Sequence, residues 1–273
     1  METWGFRLVD QESLYKLTSS LERICKKQVI FKFGIVDETF RLLISHRPST
    51  TCKPINLWGS FDVVEIGIIP EKTSLNFAIE LPLHSLNQIL STLSNSSKLR
   101  FNFDFLEKKV QISDINGDDT VSYTIDCNCI FEANLIEYYF SEPSIIAPSI
   151  SLVVKPTQID LLKRKLSIFK SSNVSVRIGA NYEGNLEISL VDSSHLSVTF
   201  KMTQMQRLEA DFRDSFRMFW VVLKLDLLLR VLSLSIPYDS LIWGIIPDQA
   251  LLFSATQKST DNTMTFFIPS CEE

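Results

Sequence analysis

The chain has 273 residues, enough for two domains of ordinary size, each able to bury its own core. Apolar residues make up 45% and charged residues 22%, with 8 Gly and 10 Pro, a balance that excludes a disordered chain. The net charge is −5, so any positive surface has to arise by local segregation of charge.

The first ten residues, Met1 to Asp10, carry acidic and aromatic residues where a signal peptide would carry a basic segment and an apolar core, so secretion is not expected. A helix is predicted over about Gln11 to Lys27, with Leu14, Leu17, Leu21 and Ile24 on one stripe and Asp10 as its N-cap. Lys16, Arg23 and Lys27 share a different face of it. Strands follow at Val29–Phe33, Phe40–Ile44 and Phe77–Leu81, the last leading into a second helix. Leu99, Phe101 and Phe103 alternate with Arg100, Asn102 and Asp104, the signature of half-buried antiparallel sheet, and Val110–Ile115 continues it. Asn116-Gly117-Asp118-Asp119 reads as a tight hairpin turn rather than a cation loop.

From Ile130 to Ser149, Pro143 and Pro148 break both periodicities, which predicts an interdomain connector between domains at 1–129 and 150–273. Pro156 then opens a third helix in the favoured first-turn position, with Ile159, Leu162, Leu166 and Phe169 inward and Lys163, Arg164 and Lys170 off that stripe. The apolar stretch Met218 to Ile236 is interrupted by Lys224, Asp226 and Arg230 and half of it alternates, so it reads as core structure and not as a membrane span.

The second half repeats the first at an offset of 141 to 146 residues. Leu8-Val9-Asp10 corresponds to Val153-Val154-Lys155, Val29–Phe33 to Val174–Ile178, and Phe40–Ile44 to Leu186–Leu190. Phe77–Leu81 corresponds to Val221–Leu225, and the pair Leu99–Asp104 and Val110–Ile115 to Leu241–Ile246 and Leu251–Thr256. Each half reads strand, helix, several strands, helix and a closing set of strands, with two helices covering one sheet face.

Charge is divided between these elements. The helix windows 11–28, 81–98, 155–170 and 225–240 hold 11 bases and 5 acids, a net of +6 in a chain of −5. Basic helices on acidic sheets and loops suit one surface that lies near phosphates while the rest repels them, without sequence readout.

Chemistry has little to stand on. There are three histidines (His46, His84, His195), no paired-histidine motif, no GxSxG and no phosphate-cradling glycine loop. Ser194 beside His195 would point to the opposite face of a strand. Five cysteines (Cys25, Cys52, Cys127, Cys129, Cys271) form no CxxC pair, which suits reduced thiols in a cytosolic or nuclear protein. The glycosylation patterns at Asn95 and Asn173 carry no weight without secretion.

The repeated unit resembles the sliding clamps, and Asp192-Ser193-Ser194-His195-Leu196-Ser197-Val198 is similar to a segment of the replicative clamp PCNA. A likeness to the Hus subunit of the checkpoint clamp, the heterotrimeric nine-one-one ring, extends over nearly the whole chain. Its anchors are Phe6-Arg7 with Val9-Asp10, Leu57-Trp58, Glu142-Pro143, Gly184-Asn185-Leu186 and Phe267-Ile268-Pro269-Ser270. The connector departs from it, since Phe131-Glu132-Ala133-Asn134 lacks basic residues and Leu135-Ile136-Glu137 has no aromatic after the leucine.

The resemblance implies an α+β DNA-clamp fold of two repeated domains, each with two helices packed on antiparallel sheet. It implies a non-catalytic subunit without cofactor or metal, in a nuclear ring of three different subunits that encircles double-stranded DNA at damage or stalled forks. Partners would be two other clamp-like subunits, a checkpoint clamp loader, and repair and signalling proteins, with no membrane. The residues expected to face DNA are Lys16, Arg23, Lys27, Lys163, Arg164 and Lys170. Ring-sealing edges are expected in the late strands of the first domain and the middle strands of the second, Val174–Ile178 among them. Ile145, Ile146, Ile268 and Pro269 are the expected pocket for a partner peptide. A homotrimeric replicative-type clamp and a two-domain β-rich scaffold without DNA contact are the alternatives.

Overall fold

The computed structural model describes residues 4–25, 28–36, 38–46, 55–71, 76–93, 98–116, 119–141, 147–169, 174–191, 197–208, 216–234, 238–257 and 259–271. Both glycosylation patterns, Glu142-Pro143 and the Ser194-His195 pair lie at least partly outside them. The chain forms two compact units. The first comprises Met1–His46, Trp58–Ser141 and Ser259–Asn262, and the second Arg47–Leu57, Glu142–Lys258 and Thr263–Glu273.

The first unit runs β1 (Trp4–Leu8), α1 (Gln11–Cys25), β2 (Gln28–Val36), β3 (Thr39–His46), β4 (Asn56–Asp62), β5 (Ile68–Pro70), β6 (Ala78–Pro82) and α2 (Leu83–Thr92). It continues with β7 (Leu99–Asp104), β8 (Lys109–Asn116), β9 (Asp119–Asp126), β10 (Asn128–Ile130) and α3 (Ala133–Phe140). The second unit has β11 (Ile150–Val154), α4 (Pro156–Leu166), a 3-10 turn at Ser167–Phe169, β12 (Ser175–Ala180), β13 (Leu186–Val191), β14 (Ser197–Met202) and β15 (Gln206–Arg207). It closes with β16 (Phe219–Lys224), α5 (Leu225–Val231), β17 (Ser240–Ile246), β18 (Ala250–Gln257) and β19 (Asn262–Pro269).

The sheet orders show the duplication directly. In the first unit β5-β1-β7-β8-β9 is matched by β15-β11-β17-β18-β19 in the second, and β6-β2-β3-β4 by β16-β12-β13-β14. Every strand pair expected from the sequence repeat therefore occupies the same place in its own unit. Both α2 and α5 follow their strands without an intervening residue, at Pro82–Leu83 and Lys224–Leu225.

Alternation explains the sheets. In β7, Leu99, Phe101 and Phe103 are buried and Arg100 and Asp104 exposed, and antiparallel pairing sets Phe101 opposite Phe6 and Phe103 opposite Trp4. The rings of Phe6 and Phe101 stack at 4.4 Å, and Trp4 lies 4.8 Å from Phe33 on the other sheet. Leu14 of α1 and Leu86 of α2 line one small cavity with Phe33, Leu42, Phe101 and Phe103, so the helices and both sheets of this unit share a single core. The second unit buries Trp243, Phe253 and Phe266 with Leu162, Leu166 and Leu228 from its helices.

Asp10 caps α1 as expected, its Oδ1 accepting the backbone N–H of Ser13 at 3.0 Å. Gly67 makes that approach possible. With φ 73°, it accepts the Val9 N–H at 2.7 Å, and a Cβ there would lie 2.3 Å from the Asp10 nitrogen. At the start of α4, the N–H of Lys155 donates to Gln158 Oε1 at 2.8 Å, and Pro156 stands first in the helix.

Two expectations need correction. The stretch after Ile130 is not without periodic structure, because Ala133–Phe140 forms α3 and buries Ile136 against Ile30, Ala78 and Ile130. One inward residue with Tyr139 and Phe140 three and four positions later is too short a stripe to stand out beside the prolines. Nor is Val174–Ile178 an edge, since β12 pairs with β13 on one side and β16 on the other. Among the described strands, the sheets end at β5, β9 and β10 in the first unit and at β14, β15 and β16 in the second; of these, β9, β14 and β16 are six residues or longer. Asn116 pairs with Asp119, so two residues join β8 to β9, as the turn reading requires. Among the described residues no helix is long and apolar enough to cross a membrane.

In the first unit α1 and α2 are joined by polar contacts that run from buried to exposed. Gln11 Nε2 donates to the carbonyls of Leu90 and, at 3.2 Å, Leu93. Thr18 Oγ1 donates to Asn87 Oδ1 at 2.6 Å, Asn87 Nδ2 donates to Glu22 Oε2 at 2.5 Å, and His84 Nδ1 lies 2.9 Å from Glu22 Oε1. The hydrogen bond from Asn87, then the contact with His84, hold the Glu22 carboxyl below its ordinary range against the opposing effect of burial. A carboxyl with a depressed folded pKa stabilises the fold above its unfolded pKa, and that contribution is lost as pH falls through the folded value. Replacing Asn87 with Ala should cost about 1–3 kcal/mol in urea unfolding. The same change should reduce the loss of stability between neutral pH and the acid side of the Glu22 titration.

Candidate nucleic-acid interface

The amphipathic packing of each helix decides which side chains can reach outward. In α1, burial of Leu14, Leu17, Leu21 and Ile24 turns Glu12, Lys16 and Arg23 to the outside. Lys16 Nζ lies 2.5 Å from Glu12 Oε1, both side chains being more than half exposed, so part of its charge is spent on an i,i+4 pair. Arg23 is exposed on the same face. The neighbouring α2 contributes neither acid nor Lys nor Arg.

In α4, burial of Ile159, Leu162 and Leu166 leaves Lys163, Arg164 and Lys165 in the last turn, where cations also meet the negative end of the helix dipole. Lys163 and Arg164 line an open groove with Asp160, Ser167, Leu229 and Ser233, formed between α4, the 3-10 turn and α5. Arg230 on α5 is held by Asp226 at 2.8 Å. Tyr238 is half-buried, and burial, with the Asp160 carboxylate as a second cause, pushes its hydroxyl pKa up.

The charge segregation is therefore narrower than the sequence windows imply. The four helix bodies carry Lys16, Arg23, Lys163, Arg164, Lys165 and Arg230 against Glu12, Glu22, Asp160 and Asp226. The surplus lies on α4 alone. Of the remaining bases in those windows, Lys98 precedes β7 and Lys155 is the N-cap of α4, while Lys26, Lys27 and Lys170 lie outside the described residues. The structure thus groups Lys163 with Arg164 and, separately, Lys16 with Arg23. Lys165, exposed beside them, is missing from the set expected to face DNA, although three consecutive bases at a helix end are the sequence signal for it.

Of the four residues expected to line a peptide pocket, two are described. Ile268 has no exposed surface and belongs to the core of the second unit, because inward residues alternate along β19. Pro269 is half-buried, and Ile145 and Ile146 lie outside the described residues. Among the described residues no three His, Cys, Asp or Glu side chains gather as metal ligands. His84 is engaged with Glu22, and His46 ends β3.

No family model matches the chain, and no curated protein matches it by sequence. Solved structures match it from end to end. The proliferating cellular nuclear antigen of Entamoeba histolytica superposes with a TM-score of 0.69 at 9% identity, covering 98% of this chain and 99% of its own. A chain of the PCNA2-PCNA3 complex of Sulfolobus tokodaii superposes at 0.68 with 12% identity, covering 98% and 100%. At such identity what is shared is the arrangement of buried alternation and helix stripes, which many apolar sequences satisfy. The chain has the PCNA-like sliding-clamp fold, with helices and antiparallel sheets arranged as two repeated domains.

Proposed function

We propose that the chain is one wall segment of a ring that encircles double-stranded DNA, and that it occupies the Hus position of a heterotrimeric checkpoint clamp. The observation that carries this reading is the clamp fold over 98% of the chain, with three consecutive bases in the last turn of α4. A ring holds DNA by topology, so its helices need only a weak, sequence-blind attraction that permits sliding. Binding, not catalysis, is the whole activity in this reading. The ring acts in the nucleus, is placed at damaged or stalled DNA by a dedicated loader, and serves as a platform for repair and signalling proteins.

Ring closure needs two sheet edges that neighbours can complete. β9 and β14 supply them, one in each unit. Exposed residues of β9 include Thr120, Val121, Ser122 and Thr124, and β14 is buried on neither face. Such edges invite pairing with another chain. Val121 on β9 is exposed and β14 alternates exposed and half-buried residues, so a β9 edge of one subunit could extend its sheet onto a β14-type edge of the next.

The Hus assignment rests on the ordered sequence anchors, and several have a physical reason to be fixed. Leu57 and Phe6 are buried. Gly184 has φ 78°, and a Cβ there would lie 2.4 Å from the Met205 carbonyl, so no other residue fits without shifting that loop. The homotrimeric alternative draws on the likeness to a PCNA. Solution mass separates the readings. Co-expression with two other clamp-like chains should give a 1:1:1 complex while this chain alone gives none; a self-assembled trimer supports the replicative-type ring, and no ring in either case supports the scaffold.

Within the assembled ring, the attraction for DNA should be uneven. Changing Lys163, Arg164 and Lys165 together to Ala should weaken duplex binding and flatten its salt dependence, by up to about 0.9 in log–log slope for each phosphate no longer neutralised. The double change of Lys16 and Arg23 should do less, because Lys16 is already paired with Glu12. Fluorescence anisotropy across a salt series measures both.

A further inference from the structure

Two free cysteines of the first unit lie beside each other. Cys127 and Cys129 flank Asn128 where the chain leaves β9, in one sheet of the first unit, and enters β10, in the other. Their Sγ atoms lie 3.8 Å apart, within reach of an S–H···S hydrogen bond. Closing that gap to the covalent distance of about 2.05 Å needs a shift of about 2 Å. The backbone around them is anchored. The N–H of Cys127 donates to the carbonyl of Lys108 at 2.8 Å, and Cys129 pairs with Ile79 of β6.

The two thiols are not equivalent. Cys127 is 8% exposed and Cys129 is more open to solvent. The hydrogen bond from the Cys127 thiol, then the nearby Lys108 ammonium, lower the Cys129 pKa against burial and Asp104, whereas the same bond, burial and Asp126 raise that of Cys127. One sulfur is thus the more accessible and the more readily ionised, while the other beside it is harder to deprotonate. Cys25, buried in α1 with its thiol pushed up by burial alone, has no such neighbour among the described cysteines.

We propose that Cys127 and Cys129 form a reversible dithiol–disulfide pair, oxidised by a small-molecule disulfide of the glutathione type, with Cys129 attacking and Cys127 resolving. In the first step the Cys129 thiolate attacks one sulfur of glutathione disulfide, forming a mixed disulfide and releasing one glutathione thiolate. In the second the Cys127 thiol gives its proton to solvent, and its sulfur attacks Cys129 Sγ, releasing the second glutathione. Two protein thiols lose two electrons and two protons, and one glutathione disulfide becomes two glutathione thiols. The oxidised pair would fix the crossing from β9 to β10, next to an edge strand. Neither step depends on ring formation, so the pair stands or falls separately from the clamp reading.

The test uses the full reduced chain, equilibrated with mixtures of reduced and oxidised glutathione, acid-quenched, alkylated and mapped by mass spectrometry. The peptide holding both cysteines should lose its two alkylatable thiols together, by two hydrogens and no added mass, and recover them with dithiothreitol. Cys127→Ser should accumulate glutathione on Cys129, and Cys129→Ser should leave Cys127 free. Persistent free thiols at oxidising ratios, a stable glutathione adduct on the unmodified chain, or a disulfide between two chains would each overturn the proposal. The first measurement needs no variant, so misfolding of a Ser variant cannot obscure it.

Discussion

The packing of two helices side by side in each unit is the constraint on which the outward surface depends. An amphipathic helix has only one stripe to bury, and a second helix beside it claims part of what is left. In the first unit that neighbouring flank is polar and already used. Gln11 reaches the last carbonyls of α2, and Thr18, Asn87, Glu22 and His84 form a chain of contacts between the helices. In the second unit the corresponding helices leave a groove open between them, and Lys163 and Arg164 line it. The same architecture therefore gives a nearly neutral helix pair in one domain and a basic one in the other.

That asymmetry is what duplication allows. Apart from β10 and α3, which only the first unit has, the strand orders of the two units match, so the fold keeps its core demands in both: alternating large side chains on β1 and β7, and on β11 and β17. Surface residues are under no such demand. One copy sets its helix acids against bases, Glu12 with Lys16 and Glu22 with His84, and keeps Arg23 exposed, while the other has gathered three bases at the end of α4. In the ring proposed above, the electrostatic attraction would be concentrated where α4 lies.

Much of this is legible in the sequence because the signals are periodic. Phe101 and Phe103 against Arg100 and Asp104 announce a strand face, and Leu14, Leu17, Leu21 and Ile24 a helix stripe. The fold class, the repeat and both helix starts at Asp10 and Pro156 follow from such patterns. Helix ends are less legible. α5 closes at Val231 and α2 at Thr92, so flanking bases such as Lys98 fall inside the helix windows without being helical. α3 leaves little trace because only Ile136 is buried in eight residues. Edge status is invisible to alternation, since Ser175–Ala180 and Ser197–Met202 both read as strands while only the first has a neighbour on each side. Likewise Ile268 looks like any apolar residue near the end of the chain until β19 turns it inward.

The central claim is topological encirclement of DNA, and it has a direct measurement. The assembled complex is loaded onto closed circular DNA, isolated, and followed after a single restriction cut, at a salt concentration that suppresses ordinary electrostatic binding. Encirclement predicts stable retention on the circle and rapid loss once the DNA is linear. Equal retention on both forms, or loss from both at the same rate, would contradict it.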